Sequence, residues 1–166
     1  MPATLRHAQP VFPSLARSAP HRKRDAGFPD DAVEVICPAT AEQLPVLRAI
    51  ATSLALRADA DLDLVADLRL AVDEACTSLV RAAGPDEPLH CRFAAHPDAV
   101  EVVVAVWAPQ PAAVDDQLSG LLLASLTDRL ATETQAVDDG YELRTSLLVR
   151  VRPAAAAPRH NEENHS

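Results

Sequence analysis

The side chains richest in chemistry lie between residues 67 and 81: Asp67, Asp73, Glu74, Thr77, Ser78 and Arg81. They fall outside an apolar stripe of Leu64, Val65, Leu68, Val72, Ala75, Cys76 and Leu79 whose three- and four-residue steps predict an amphipathic helix. Carboxylates on such a face can hold or orient a proton. They can equally be the water-facing side of any amphipathic helix, and the pattern alone reads that way. Cys37, Cys76 and Cys91 are too few and too scattered for a disulfide framework or a zinc finger. They read as reduced thiols, with Cys76 on the buried stripe. His90 and His96 lack a second ligand at metal spacing, and His7, His21, His160 and His165 read as solvated.

Composition bounds what can hold these groups. The 166 residues suit one domain large enough to fold without a metal or disulfide staple. Only 3% are aromatic, so the core must be built from Leu, Val and Ala. Residues 1–30 carry five basic side chains against two acidic ones, whereas residues 31–152 carry 20 acids against nine bases. An acidic body argues against direct DNA or RNA binding, which depends on neutralising phosphates, and favours a basic protein partner or a metal-bound ligand. Arg22-Lys23-Arg24 reads as part of a solvated arm. The apolar runs Leu118–Leu126 and Val100–Pro109 are too short for a bilayer. No charged start followed by an apolar stretch and a cleavage site is present, so a cytoplasmic, membrane-free protein is expected.

Residues 1–30, with five prolines, and 153–166 (PAAAAPRHNEENHS) read as disordered tails around a domain at 31–152. Within it, Val33–Cys37 predicts a strand closed by Pro38. Leu44, Leu47, Ile50, Ala51 and Leu54 predict a helix. Thr40 could cap it, but Pro45 moves its start to Gln43 or Leu44. Asp61 or Asp63 caps the next helix and Gly84-Pro85 ends it. Leu89–Ala94 and Val100–Trp107 predict two strands around a His96-Pro97-Asp98 turn. Ala108–Gln117 predicts a loop, and Leu118–Leu130 a third helix. Thr132–Val137 and Tyr141–Val151 flank Asp138-Asp139-Gly140, a hairpin signal. The order β-α-α-β-β-α-β-β predicts an α+β two-layer sandwich: a mixed, mostly antiparallel sheet with about three helices on one face.

The phrase Leu68–Ala82, LRLAVDEACTSLVRA, resembles the N-box helix of the GHKL ATPase superfamily, in the RsbW–SpoIIAB branch of bacterial anti-sigma factors and serine kinases. The branch pattern there is close to AV-(D/S)-EA-x-TNA. Ala66–Glu74 spells ADLRLAVDE, the wording of mycobacterial-type anti-sigma-F RsbW proteins. Cys37-Pro38-Ala39 and Leu44–Arg48 are similar to the branch's opening phrase. The resemblance implies the GHKL (Bergerat) fold over residues 32–152.

It also implies a nucleotide site. In the family, a Glu and an Asn one helical turn apart serve phosphotransfer: the Glu orients or deprotonates the attacking hydroxyl, and the Asn ligates Mg²⁺. Glu74 matches that Glu as candidate general base, and Ser78 stands where the Asn would be. A hydroxyl is a shorter, weaker ligand than an amide oxygen, so the metal position is impaired. The family's D-x-G-x-G box should follow the central strand, where the chain reads Trp107-Ala108-Pro109-Gln110-Pro111 without Asp or Gly. Asp115 and Asp116 fall past that position. A later box retains one glycine, Gly120, and the closing strand offers Thr145 as a phosphate-facing hydroxyl. Trp107 falls where the pocket would open.

The resemblance therefore implies an anti-sigma factor that sequesters an alternative, stress- or sporulation-class sigma factor and yields it to an anti-anti-sigma antagonist. It implies a homodimer whose ATP and Mg²⁺ binding is weak. Acidic edges of the helices at 40–56 and 61–82 are expected to contribute to partner binding. The alternative is an active Mg·ATP-dependent serine kinase acting on the antagonist. Glu74 favours it, while Ser78 and the glycine-free segment 107–117 oppose it.

Overall fold

The computed structural model describes residues 32–111, 117–137 and 139–151. The tail expectations for 1–30 and 153–166, and Asp115 and Asp116, lie outside the described residues. Five strands form one sheet: β1 (Val33–Pro38), β2 (Pro88–His96), β3 (Ala99–Ala108), β4 (Arg129–Val137) and β5 (Gly140–Arg150), in the order β1-β2-β3-β5-β4. The helices are α1 (Leu44–Arg57), α2 (Leu62–Ala82) and α3 (Gln117–Leu126). This is the expected α+β sandwich with one correction: every pairing is antiparallel, so the sheet is not mixed. Two helices separate β1 from β2, and an up-and-down helix pair returns the chain in the opposite direction. β3 and β4 are joined through a single helix, but β5 lies between them and pairs antiparallel with both.

Alternation along β3 sets the layers. Val100, Val102, Val104, Val106 and Ala108 face the helices, together with Leu143, Leu147 and Val149 of β5 and Leu89, Cys91 and Phe93 of β2. Against them pack Leu47, Ala51 and Leu54 of α1 and Val65, Leu68, Val72, Ala75, Cys76 and Leu79 of α2. The opposite face of the sheet carries paired charges. Glu34 is opposite Arg92 at 3.2 Å, Glu133 opposite Arg144 at 3.8 Å, and His96 Nε2 lies 3.0 Å from Glu101 Oε2.

The helix ends follow their sequences closely. Pro45 occupies the first turn of α1, where its missing N–H leaves no hydrogen bond unmade. Thr40 does not cap α1; it precedes a short 3-10 turn, Ala41–Gln43. α1 closes with the Ala60 N–H bonded to Ala55 O at 3.0 Å and the Asp59 N–H to Leu56 O at 3.2 Å. That is a Schellman motif with Asp59 at the left-handed position, φ 56°. Asp61 caps α2, its Oδ1 accepting from the Leu64 N–H at 2.8 Å.

α3 ends at Leu126, not Leu130. β5 captures the chain just beyond it. The Asp128 N–H donates to Leu148 O at 2.9 Å, and the Asp128 carboxylate accepts the Arg150 N–H at 2.7 Å. Arg129 and Leu130 therefore open β4, overriding an apolar periodicity that continued the helix. Among the described residues, no helix is long and apolar enough to cross a membrane.

Candidate functional site

α2 is the spine of the site. Its buried stripe fixes the helix against β3 and β5, which leaves Asp73, Glu74, Thr77 and Ser78 half-buried along its flank. Asp73 Oδ1 is 3.3 Å from Arg48 Nη1, an ion pair that ties α1 to α2 one residue before Glu74. Both partners are about a third exposed, so solvent screening holds the pair near the usual surface value, below about 1 kcal/mol. This pair was not legible in the sequence, since Arg48 and Asp73 meet only when the helices pack.

Thr145 is buried in β5 on the helix-facing side, opposite Val104 and Thr132. Gly120 lies in α3, which packs against α2. The structure thus places Glu74 and Ser78 on one helix and Thr145 and Gly120 on two elements that contact it. A Cβ built on Gly120 meets no atom of the described residues within 4 Å, so no close approach of their backbone requires a glycine there.

The exit of β3 is built around Trp107. Trp107 sits between Gly84 and Gly140, and a Cβ on either glycine would run into its indole ring. The Gly84 N–H also donates to Trp107 O at 3.0 Å. These glycines therefore serve the packing of a tryptophan. Pro109, Gln110 and Pro111 follow, all exposed, and offer one backbone N–H, since proline has none. An open depression of about 300 Å³ lies elsewhere, lined by Arg57, Ala58, Asp59, Ala95, His96 and Pro97, and includes none of the candidate residues.

No group of three or more His, Cys, Asp or Glu suited to a metal ion occurs among the described residues. Burial lowers the His90 imidazole, with the Glu34 carboxylate opposing. Burial raises the Glu142 carboxyl, with Arg144 opposing. Both lie on the sheet face away from the helices.

A profile of the histidine kinase-like ATPase domain matches residues 37–144. The chain belongs to that family. Over 77 residues it is 48% identical to the anti-sigma-F factor RsbW of Mycobacterium tuberculosis, in both strain CDC 1551 / Oshkosh and strain H37Rv. The match covers 46% of this chain and 45% of the relative, so it spans less than half the length of those curated proteins. A crystal structure of RsbU and RsbW domains from Mycobacterium tuberculosis is similar in fold, with a TM-score of 0.55 and 18% identity over 76% of this chain and 34% of that one. The family and fold expected from the α2 phrase are thereby established.

Proposed function

We propose that this protein is an anti-sigma factor that binds an alternative sigma factor, yields it to an anti-anti-sigma competitor, and works as a homodimer without efficient phosphotransfer. The observation that carries the reading is the 48% identity to an anti-sigma-F factor, together with an intact α2 scaffold. Asp61, Asp63 and Asp67 are exposed along the first half of α2, which suits a partner with basic, nucleic-acid-facing surfaces.

The residues present do not fit Mg·ATP. Ser78 offers a hydroxyl where an amide oxygen would reach farther. The β3 exit at Trp107–Pro111 supplies neither carboxylate nor glycine. Phosphotransfer rests almost wholly on positioned phosphates and metal, so these losses compound. The second reading, an active serine kinase, is favoured by one observation: Glu74 is retained and half-buried on α2.

Calorimetric titration of a stress-class sigma factor into the protein, with and without Mg·ATP, separates the two. Tight binding that nucleotide leaves unchanged is the expected result. Binding that requires Mg·ATP, or radiolabelled phosphate appearing on the antagonist, would bring the kinase reading forward. Absence of binding in both conditions would overturn the sigma-factor assignment. Ser78→Asn is expected to leave nucleotide affinity weak, because the β3 exit stays unchanged.

A further inference from the structure

The far face of the sheet is drier than its position allows. The helices pack on the side of Val100, Val102 and Val104, so Val103 and Ala105 point the other way. No described helix or strand lies over them, yet they are 1% and 0% exposed. The ion pairs on the same face repeat the pattern. The Arg92 side chain is 9% exposed beside Glu34 at 44%, and Arg144 is 13% exposed beside Glu133 at 65%. The wet partners sit on the edge strands β1 and β4, the dry ones on the inner strands β2 and β5, and Glu142 of β5 is buried as well. A long charged side chain on an uncovered sheet face keeps its head in water. Burial also pushes the Glu142 carboxyl up and the His90 imidazole down. Water is kept from the middle of this face and not from its rims.

Shape and chain length select what excludes it. His90 and Arg144 flank Ala105, while Arg92 and Ser146 flank Val103, so two small residues floor a trough between longer side chains. A large apolar side chain fills such a trough. Of the chain outside the described residues, 112–116 and 138 are too short to leave their connections and cross a sheet. Residues 152–166 offer no apolar side chain larger than alanine, whereas residues 1–31 hold Phe12 and Phe28. Phe28 stands five positions before Val33, and five extended residues reach about 17 Å. Glu34 pairs with Arg92 and Arg92 with Val103, so β1 and Val103 are two strand spacings apart, about 10 Å. We propose that the segment leading into β1 folds back across the far face of the sheet and seats Phe28 over Val103 and Ala105.

The cover has a consequence for binding. It takes the far face away from partners and leaves the helical layer, with Glu74 and the exposed aspartates of α2, as the open surface. It also confines the disorder expected at residues 1–30 to the part upstream of Phe28.

NMR of the isotope-labelled full chain tests the contact. The chain has three phenylalanines, so the Phe28 ring is readily assigned. Nuclear Overhauser contacts are expected from that ring to the methyl groups of Val103 and Ala105. Contacts to Val103 from Phe12, from the alanines at 154–157, or from a second copy in a mixed-label sample would each overturn the proposal. A Phe28 ring without any contact to β3 would do the same. Carboxyl chemical shifts give a second reading by following Glu142 through a pH titration. Phe28→Ser should bring its midpoint down towards the ordinary carboxylate value, and Phe12→Ser should leave it where the unaltered chain has it. Equal midpoints in all three chains would also overturn the proposal, because something other than Phe28 would then be keeping water away.

Discussion

α2 and α3 lie side by side, yet the chain treats them differently. α2 is capped by Asp61, buries seven side chains over its 21 residues, and touches both central strands. α3 exposes Leu118 at 82% and Leu121 at 68%, leaves Leu122 partly exposed, and carries a glycine with empty space beside it. The element that carries Glu74 and Ser78 is held by the core. The element that follows the β3 exit buries Ser119 and Leu123. Packing specifies α2 along its whole length and α3 along one narrow side.

The sharpest way to break this contrast is to truncate one leucine in each helix. Leu68→Ala opens a void at a fully buried site and is expected to cost about 2–5 kcal/mol. Leu121→Ala removes a side chain already in water and should change stability by less than about 0.5 kcal/mol. Urea denaturation of both variants measures the difference. Equal effects would show that α3 is as deeply held as α2.

The glycines repeat the contrast with opposite signs. Gly84→Ala drives a methyl into the Trp107 ring and should destabilise by about 1–3 kcal/mol, with a shift in Trp107 emission. Gly120→Ala meets nothing within 4 Å in a helix interior and should stabilise by about 0.5–1 kcal/mol. A destabilising Gly120→Ala would mean that a neighbour closes on α3 in solution.

The two ends of the α1–α2 turn sharpen it further. Asp61→Ala removes the acceptor for the Leu64 N–H and should cost about 1 kcal/mol. Asp59→Gly relieves a left-handed non-glycine residue and should gain about 0.5–1 kcal/mol. Thermal melts of the two variants should move in opposite directions.

These particulars show what was legible beforehand. The stripe of α2, its cap among Asp61 and Asp63, the alternation of β3 and the Asp-Gly hairpin are local patterns, and each became the expected element, with Asp61 taking the cap. The end of α3 was misread because its apolar periodicity runs on to Leu130, while the decision is made by Asp128 bonding to β5, 20 or more residues away. The same limit hid the Arg48–Asp73 pair and the use of Gly84 and Gly140 to seat Trp107. Neither has a sequence period; each exists only once separate elements pack.

The smallest expected effects are on the far face of the sheet, where the half-buried His90 and the buried Glu142 pull stability in opposite directions with pH. Burial holds the folded-state pKa of His90 below its ordinary value, so between the two values the unfolded chain binds the extra proton. Stability therefore rises with pH through that window and is lost as pH falls through it. Burial holds the Glu142 carboxyl above its ordinary value, so there the native state binds the extra proton and stability falls as pH rises. Glu142→Gln should remove the falling component and stabilise the protein near neutrality. His90→Gln should flatten the rise just below the ordinary histidine value. Denaturation midpoints collected from acid to neutral pH for both variants measure the two slopes. Unchanged slopes would mean that water reaches these groups, and that the far face of the sheet is as open as the outer side of α3.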